Sequence, residues 1–91
     1  MIDMFFIVDK TNALLKATGW DNLYLSVNIN MRDMIIKISA HLNNDVIDTT
    51  FLPYNILYDT TLTAHNNLVS ELHLFAVISY DRYKQLHITN N

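Results

Sequence analysis

The amino-acid sequence predicts an α+β fold: an antiparallel three-stranded (or larger) β-meander with an N-terminal helix and a C-terminal helix packed on one face. Three observations lead to this prediction. Apolar residues alternate with polar ones over residues 22–42, a helix-like segment ends at the only glycine, and residues 54–91 contain neither glycine nor proline. We expect the 91 residues to form one small α+β domain spanning residues 1–91.

Residues 22–42 are predicted to form an antiparallel hairpin. Apolar residues occupy every second position, and the phase of this alternation flips around Arg32 and Asp33. A period of two residues is typical of half-buried strands, and a one-residue slip would turn one apolar row outward. The pairs predicted on the apolar face are Leu23/Leu42, Leu25/Ala40, Val27/Ile38, Ile29/Ile36 and Met31/Met34. The opposite, polar face receives Tyr24/His41, Ser26/Ser39 and Asn28/Lys37.

The N-terminal helix is predicted over residues 9–18. Asp9 or Thr11 could cap its start, and a narrow apolar stripe follows. Residues 1–8 are ambiguous, because their Met-Phe-Phe-Ile-Val run suits either an edge strand or the first turns of the same helix.

Gly19 is placed where a helix commonly ends in the left-handed conformation. In such a stop, Trp20 folds back to contact Leu15. Trp20 is therefore interpreted first as a structural contact, and the alternative is a surface anchor for a partner.

A third strand is predicted over residues 46–52. It follows a turn at residues 43–45 and stops before Pro53, because proline cannot sit in a central strand. The predicted pairs with the second strand are Leu42/Ile47, Ala40/Thr49 and Ile38/Phe51, which would extend the apolar face.

Residues 68–86 can be interpreted as a helix or as a strand. Length and the absence of Gly and Pro favour the helix, whereas the Phe-Ala-Val-Ile-Ser-Tyr composition favours a strand. We predict the helix, with Val69, Leu72, Ala76, Tyr83 and Leu86 on its apolar stripe. A helix would also cover the meander. Residues 55–63 are expected to form another strand or an irregular approach to that helix.

The composition limits the environment and the partners. The chain has no cysteine, its longest apolar runs are five residues, and its N-terminus lacks the basic residues of a signal peptide. We therefore expect a soluble, intracellular (cytoplasmic) protein with no membrane contact. With 51% hydrophobic residues, the chain has either a well-filled core or an apolar surface patch that a partner or a second copy covers.

No catalytic constellation emerges from the sequence. The single glycine leaves no nucleophile elbow, P-loop or dinucleotide fingerprint. The four histidines include no His-Glu-x-x-His spacing, and the nearest acid and histidine are Glu71 and His73. Neither a metal nor a cofactor is predicted. Direct nucleic-acid binding is disfavoured by the net charge of −3, and residues 80–84 are the only stretch that mixes basic and aromatic residues.

The charge distribution suggests a binding function rather than an enzyme. No Lys or Arg occurs between Lys37 and Arg82. We hypothesise a non-enzymatic protein-binding module, such as a small acidic inhibitor of phage or mobile-element (viral) type, that engages a basic surface of a partner protein. The residues predicted to contact that partner are Asp45, Asp48, Tyr54, Tyr58, Asp59 and Glu71.

Two other functions stay open. One is a small structural protein that acts as a homo-oligomer, for example as a homodimer. In this hypothesis, Tyr24 and Ile35 of the polar hairpin face join the interface between the copies. The other is a small metal-dependent enzyme with a His/carboxylate site, for which the sequence offers little support.

Overall fold

The computed structural model describes residues 1–89, with side chains up to His87. Two α-helices and three strands follow one another in the predicted order. Their bounds are α1 Met4–Ala17, β1 Leu23–Asn30, β2 Ile35–Leu42, β3 Asp45–Pro53 and α2 Leu62–Thr89, with a 3-10 helix at Tyr54–Tyr58 before α2. The three strands form an antiparallel sheet in the order β1-β2-β3. The predicted α+β meander with two packed helices is thus confirmed.

The register of β1 on β2 is the predicted one. Leu23, Leu25, Val27 and Ile29 lie opposite Leu42, Ala40, Ile38 and Ile36. The predicted pair Met31/Met34 is wrong, because both residues belong to the turn between the strands. Asn30 holds that turn, since its side-chain oxygen accepts the amide hydrogens of Arg32 and Asp33 at 3.0 and 3.2 Å.

The register of β3 differs from the prediction by one residue. Ala40 pairs with Asp48 and Ile38 with Thr50. Near the turn His41 pairs with Val46, so that Ile47 is left over as an irregularity in the ladder. Phe51 therefore pairs with Lys37 and lies on the opposite face from the core. The turn itself is a two-residue hairpin whose residues, Asn43 and Asn44, both have positive φ, as a type I′ turn requires.

Helix α1 begins earlier than predicted. Asp3 is its N-cap and accepts the amide hydrogens of Phe5 and Phe6, so Asp9 and Thr11 are not caps. Thr11 is buried within the helix, and its hydroxyl donates to the carbonyl of Ile7. The edge-strand alternative for residues 1–8 is therefore wrong from Met4 onward.

The end of α1 follows the prediction. Gly19 has a φ of 94°, and the Trp20 amide donates to the Leu15 carbonyl at 2.9 Å. These two features are those of the predicted helix stop.

Helix α2 confirms the helical interpretation of residues 68–86 and excludes the strand. Its buried side reads Leu68, Val69, Leu72, Ala76 and Ser79. Leu86, predicted on this stripe, is instead exposed. Residues 55–63 contain no strand, because a 3-10 helix and a short irregular stretch lead into α2.

The two helices form one layer against one face of the sheet. Phe6 and Lys10 of α1 lie beside His65 near the start of α2, with Lys10 Nζ 3.3 Å from His65 Nε2. Trp20, just after α1, packs on Tyr80. Both helices therefore run in the same direction. The core between the layers contains fully buried residues such as Ile7, Leu15, Ile36, Ile38 and Ala76.

Candidate functional site

One face of the sheet has no covering layer within residues 1–89. Both helices pack on the face that carries Ile36, Ile38 and Ala40, and the molecule is only 18 Å thick along its shortest axis. We call the other side the open face. Its residues are Tyr24, Ser26 and Asn28 of β1, Ile35, Lys37, Ser39 and His41 of β2, and Val46, Thr49 and Phe51 of β3.

The open face presents large apolar side chains to solvent. Phe51 is 62% exposed and Val46 58% exposed, both on β3. Tyr24 and Ile35 add further exposed surface on the neighbouring strands. A half-solvated antiparallel sheet normally carries polar residues on its outer side. These exposed apolar side chains lie in two groups, Phe51 and Ile35 toward one end of the face and Val46 and Tyr24 toward the other. Exposed apolar patches of this kind are candidates for an interaction surface.

His41 is the centre of a small ordered cluster at one end of this face. Its ring stacks on Tyr24, with ring centroids 4.7 Å apart and planes 3° from parallel. Its Nε2 lies 2.7 Å from the Ser26 hydroxyl. The Tyr24 hydroxyl in turn donates to the Asn44 side-chain oxygen at 3.3 Å. These contacts tie four side chains together, those of Tyr24, Ser26, His41 and Asn44.

The Ser26–His41 pair is not arranged as an activated nucleophile. A serine triad needs a carboxylate on the second ring nitrogen to orient the base. His41 Nδ1 is buried and has no hydrogen-bond partner among the described residues. The pair is therefore best explained as part of the ordered surface.

The open face carries little formal charge. Lys37 is its only Lys, Arg, Asp or Glu, and no carboxylate belongs to its three rows of side chains. The rest of the chain therefore holds all nine Asp and Glu residues.

Each edge of the sheet carries features that discourage strand addition. On β1, the Asn12 side chain binds both backbone groups of Leu25, accepting from its N–H at 2.7 Å and donating to its carbonyl at 3.0 Å. On β3, the irregularity at Ile47, the inward carboxylate of Asp48 and the terminal Pro53 are features that discourage edge pairing.

The six residues predicted to bind a basic partner do not form one patch. Asp45 begins β3, whereas Tyr54, Tyr58 and Asp59 follow its end. Nine residues of extended strand separate these two groups by about 26 Å. Glu71 is exposed in the first half of α2.

Two of the six are directed toward the interior. Asp48 faces α2, where its Oδ2 accepts a hydrogen bond from the Ser79 hydroxyl at 2.9 Å. Tyr54 is only 8% exposed, and its hydroxyl contacts the sulfur of Met1 at 3.2 Å. Neither offers much surface to a partner. Tyr58, at 60% exposed, and its neighbour Asp59 do.

Asp59 is tied to the start of α2. Its Oδ1 accepts hydrogen bonds from both the hydroxyl and the backbone N–H of Thr61, at 2.8 and 3.1 Å. These bonds, the hydroxyl first and the amide second, lower the pKa of the Asp59 carboxyl from its ordinary value of 3.8. The Thr61 hydroxyl also accepts the Ala64 amide hydrogen, so this pair orders the first turn of the helix.

The described residues hold neither a cluster of metal ligands nor a membrane-spanning helix. Within residues 1–89, no three His, Asp or Glu side chains converge to hold a metal ion. Glu71 and His73 are two residues apart on a helix and therefore point about 200° apart. None of the helices in this part of the chain combines the length and the apolar character needed to span a bilayer.

The sequence-based expectation missed Val46 and Phe51. The signal was present but weak: Val46 and Ile47 are consecutive apolar residues, which already breaks strict alternation. An irregularity at that point shifts every later residue of β3 to the other face.

Comparisons of the chain with protein-family models, with curated proteins and with solved structures each return no match. The description of the fold and of the open face therefore comes from the geometry of this chain alone.

Proposed function

We propose that the protein is a non-enzymatic protein-binding module whose contact surface is the open face, and that the occupant of this face is a second copy of the chain. The observation that supports the proposal is the exposure of Phe51 and Val46 on a sheet that has a helix layer on its other side only. Two such sheets can pack face to face at about 10 Å, which completes the missing layer for both copies.

The charge distribution leaves the open face accessible to a second copy. Each chain carries a net charge of −3, which opposes close approach of two copies. The open face lacks carboxylates and holds only Lys37, so the repelling acidic groups stay outside this contact. An isologous contact about a two-fold axis would bring the same apolar residues of both chains together.

The area of the open face limits the expected affinity of the dimer. Three strands about 4.8 Å apart and about 28 Å long present a plane of roughly 400 Å². Stable interfaces bury about 800 Å² of each partner. The dimer is therefore expected to be weak, with dissociation in the micromolar range, and to depend on chain concentration.

Sedimentation velocity over a concentration series tests the proposal. We expect the wild-type chain to move from its 10.6 kDa monomer toward twice that mass as its concentration rises to near-millimolar. Phe51→Lys should keep the protein monomeric throughout, because it replaces the most exposed apolar side chain of the face by a second positive charge beside Lys37 in each copy. Far-ultraviolet circular dichroism of the variant checks that its fold is retained.

A matched control lies on the other layer of the molecule. Leu74 of α2 is 57% exposed and is comparable to Phe51 in apolar exposure. Leu74→Lys should associate like the wild type. A wild-type chain that stays monomeric at every concentration, or equal loss of association in both variants, would contradict the proposal.

A partner with a basic surface is the second candidate. It is favoured by the adjacent, exposed Tyr58 and Asp59, an aromatic residue and an acid at one end of the sheet. A lysine-rich peptide should bind the wild-type chain more tightly than Asp59→Lys, and the difference should shrink as salt is added. Equal binding to both proteins at low salt would remove this candidate.

A further inference from the structure

A cleft of about 330 Å³ opens at the end of the sheet opposite to Tyr54. Three elements meet there: the loop after α1, the turn between β2 and β3, and the part of α2 around Tyr80. The residues that line it are Gly19, Trp20, Asp21, Asn22, Leu23, Leu42, Asn43 and Tyr80. None of them belongs to the open face. Its size is at the lower end of ligand-binding clefts.

Two aromatic rings form a corner in this cleft. Trp20 and Tyr80 are in edge-to-face contact, with centroids 4.9 Å apart and planes inclined by 69°. Both side chains are only partly buried, so ring surface is accessible. The faces of such rings carry negative electrostatic potential and attract cations.

The remaining lining has the same electrostatic sign. Asp21 supplies a carboxylate, and no Lys or Arg lines the cleft. Asn22 and Asn43 can add amide oxygens as acceptors. An aromatic corner, a carboxylate and two side-chain amides therefore line one concave space.

We propose that this cleft binds an organic cation of the guanidinium or alkylammonium class, either as a free molecule or as the side chain of an arginine or lysine on a partner. The Asp21 carboxylate supplies the opposite charge, and the faces of Trp20 and Tyr80 contact the apolar surface of the cation. The cleft shares no residue with the open face, so the cation-binding proposal can be tested separately from the dimer proposal.

The chain provides its own reporter for this site, because Trp20 is its only tryptophan. Choline chloride, guanidinium chloride and N-acetyl-arginine amide are titrated at constant ionic strength. Indole fluorescence and the single indole N–H resonance in a nitrogen–proton NMR spectrum report binding. The neutral isostere of choline, 3,3-dimethyl-1-butanol, is the matched control ligand. We expect saturable changes with the cations and none with the alcohol.

The two ligand sources give different results in the same experiment. A response to N-acetyl-arginine amide that is stronger than the responses to both choline and guanidinium indicates a side chain on a partner. A response to choline or guanidinium that equals or exceeds it indicates a free cation.

Substitutions in the lining test the assignment of the groups. Asp21→Asn should weaken binding of every cation while leaving the fold intact. Tyr80→Leu should weaken it about 2- to 5-fold, as the loss of one exposed cation–π contact predicts. Tyr24→Leu on the open face should leave it unchanged.

Three results would overturn the proposal. They are the absence of saturable shifts at the Trp20 indole and the Asp21 amide, an equal response to the neutral alcohol, and cation affinities that Asp21→Asn does not alter. A monomeric Phe51→Lys variant that still binds the cations would show that the two sites are separate.

Discussion

The two faces of the sheet differ in what lies against them, and the contrast is sharpest at two neighbouring residues of β2. Ile36 is fully buried beneath the helices, whereas Ile35 is exposed on the open face. The two side chains are identical and adjacent, yet one belongs to the core and the other to a surface. Hydrophobic character alone therefore does not tell whether a residue stabilises the monomer or is available to a partner. That depends on whether the helix layer covers the face on which the residue lies.

The largest expected effect is on the covered face. Ile36→Ala should lower the free energy of unfolding by about 2–5 kcal/mol, because it opens a cavity between the sheet and the helices. Ile35→Ala, measured at a concentration where the chain is monomeric, should lower it by less than about 1 kcal/mol. Urea denaturation followed by circular dichroism gives both values. Similar losses for the two variants would mean that the faces are not distinct.

The edge of β1 offers a second, smaller contrast. Asn12→Ala removes both hydrogen bonds to Leu25 and leaves its partly buried backbone groups unpaired. We expect a loss of about 1–3 kcal/mol and faster hydrogen exchange at the Leu25 amide. Asn28→Ala on the open face is the control and should be nearly neutral. An unchanged exchange rate at Leu25 in the Asn12 variant would refute the edge-capping role.

The smallest expected effect on stability is at Asp59, which lies on neither face of the sheet. Because the pKa of the Asp59 carboxyl is lowered in the fold, its hydrogen bonds to Thr61 stabilise the protein fully at pH values above the ordinary pKa of 3.8. This contribution to stability is lost as the pH falls through the lowered pKa. Thr61→Ala should raise the pKa of the Asp59 carboxyl toward 3.8, whereas Thr61→Ser should keep it low. Carbon-detected NMR titration measures it. Equal values in the two variants would contradict the hydroxyl's role.

The hairpin could be predicted from sequence because its two faces differ chemically. Eight apolar residues of β1 and β2 recur at every second position, so only one register buries them together. The stop of α1 was equally predictable, since Gly19 marks a left-handed position. The start of α1 was not, because the cap Asp3 precedes a run whose composition suits a strand as well as a helix.

The register of β3 could not be predicted because its pattern is ambiguous. Val46 and Ile47 are both apolar, and Asp48 is followed by two threonines that fit either face. The hydrogen bond from Ser79 on α2 to Asp48 is a tertiary contact that no local pattern reveals. The hairpin part of the open face, with Tyr24 and Ile35, was named from sequence as a possible interface, but Phe51 was missed because its place depends on the β3 register that brings it beside Lys37.

The predicted acidic site shows that the order of charged residues along the chain does not predict which of them lie together in the fold. A Lys- and Arg-free interval says nothing about where its carboxylates lie in space. In the fold Asp45 and Asp59 are at opposite ends of β3, and Asp48 turns inward. What remains of that hypothesis is the pair Tyr58 and Asp59.

The most direct test of the open face as an interface is isoleucine methyl NMR of the wild-type chain on dilution. Resonances of Ile35 should shift as the dimer dissociates, while those of Ile36, one residue away on the covered face, should stay in place. Concentration-independent spectra, or shifts at Ile36 and on α2 without a shift at Ile35, would contradict the account.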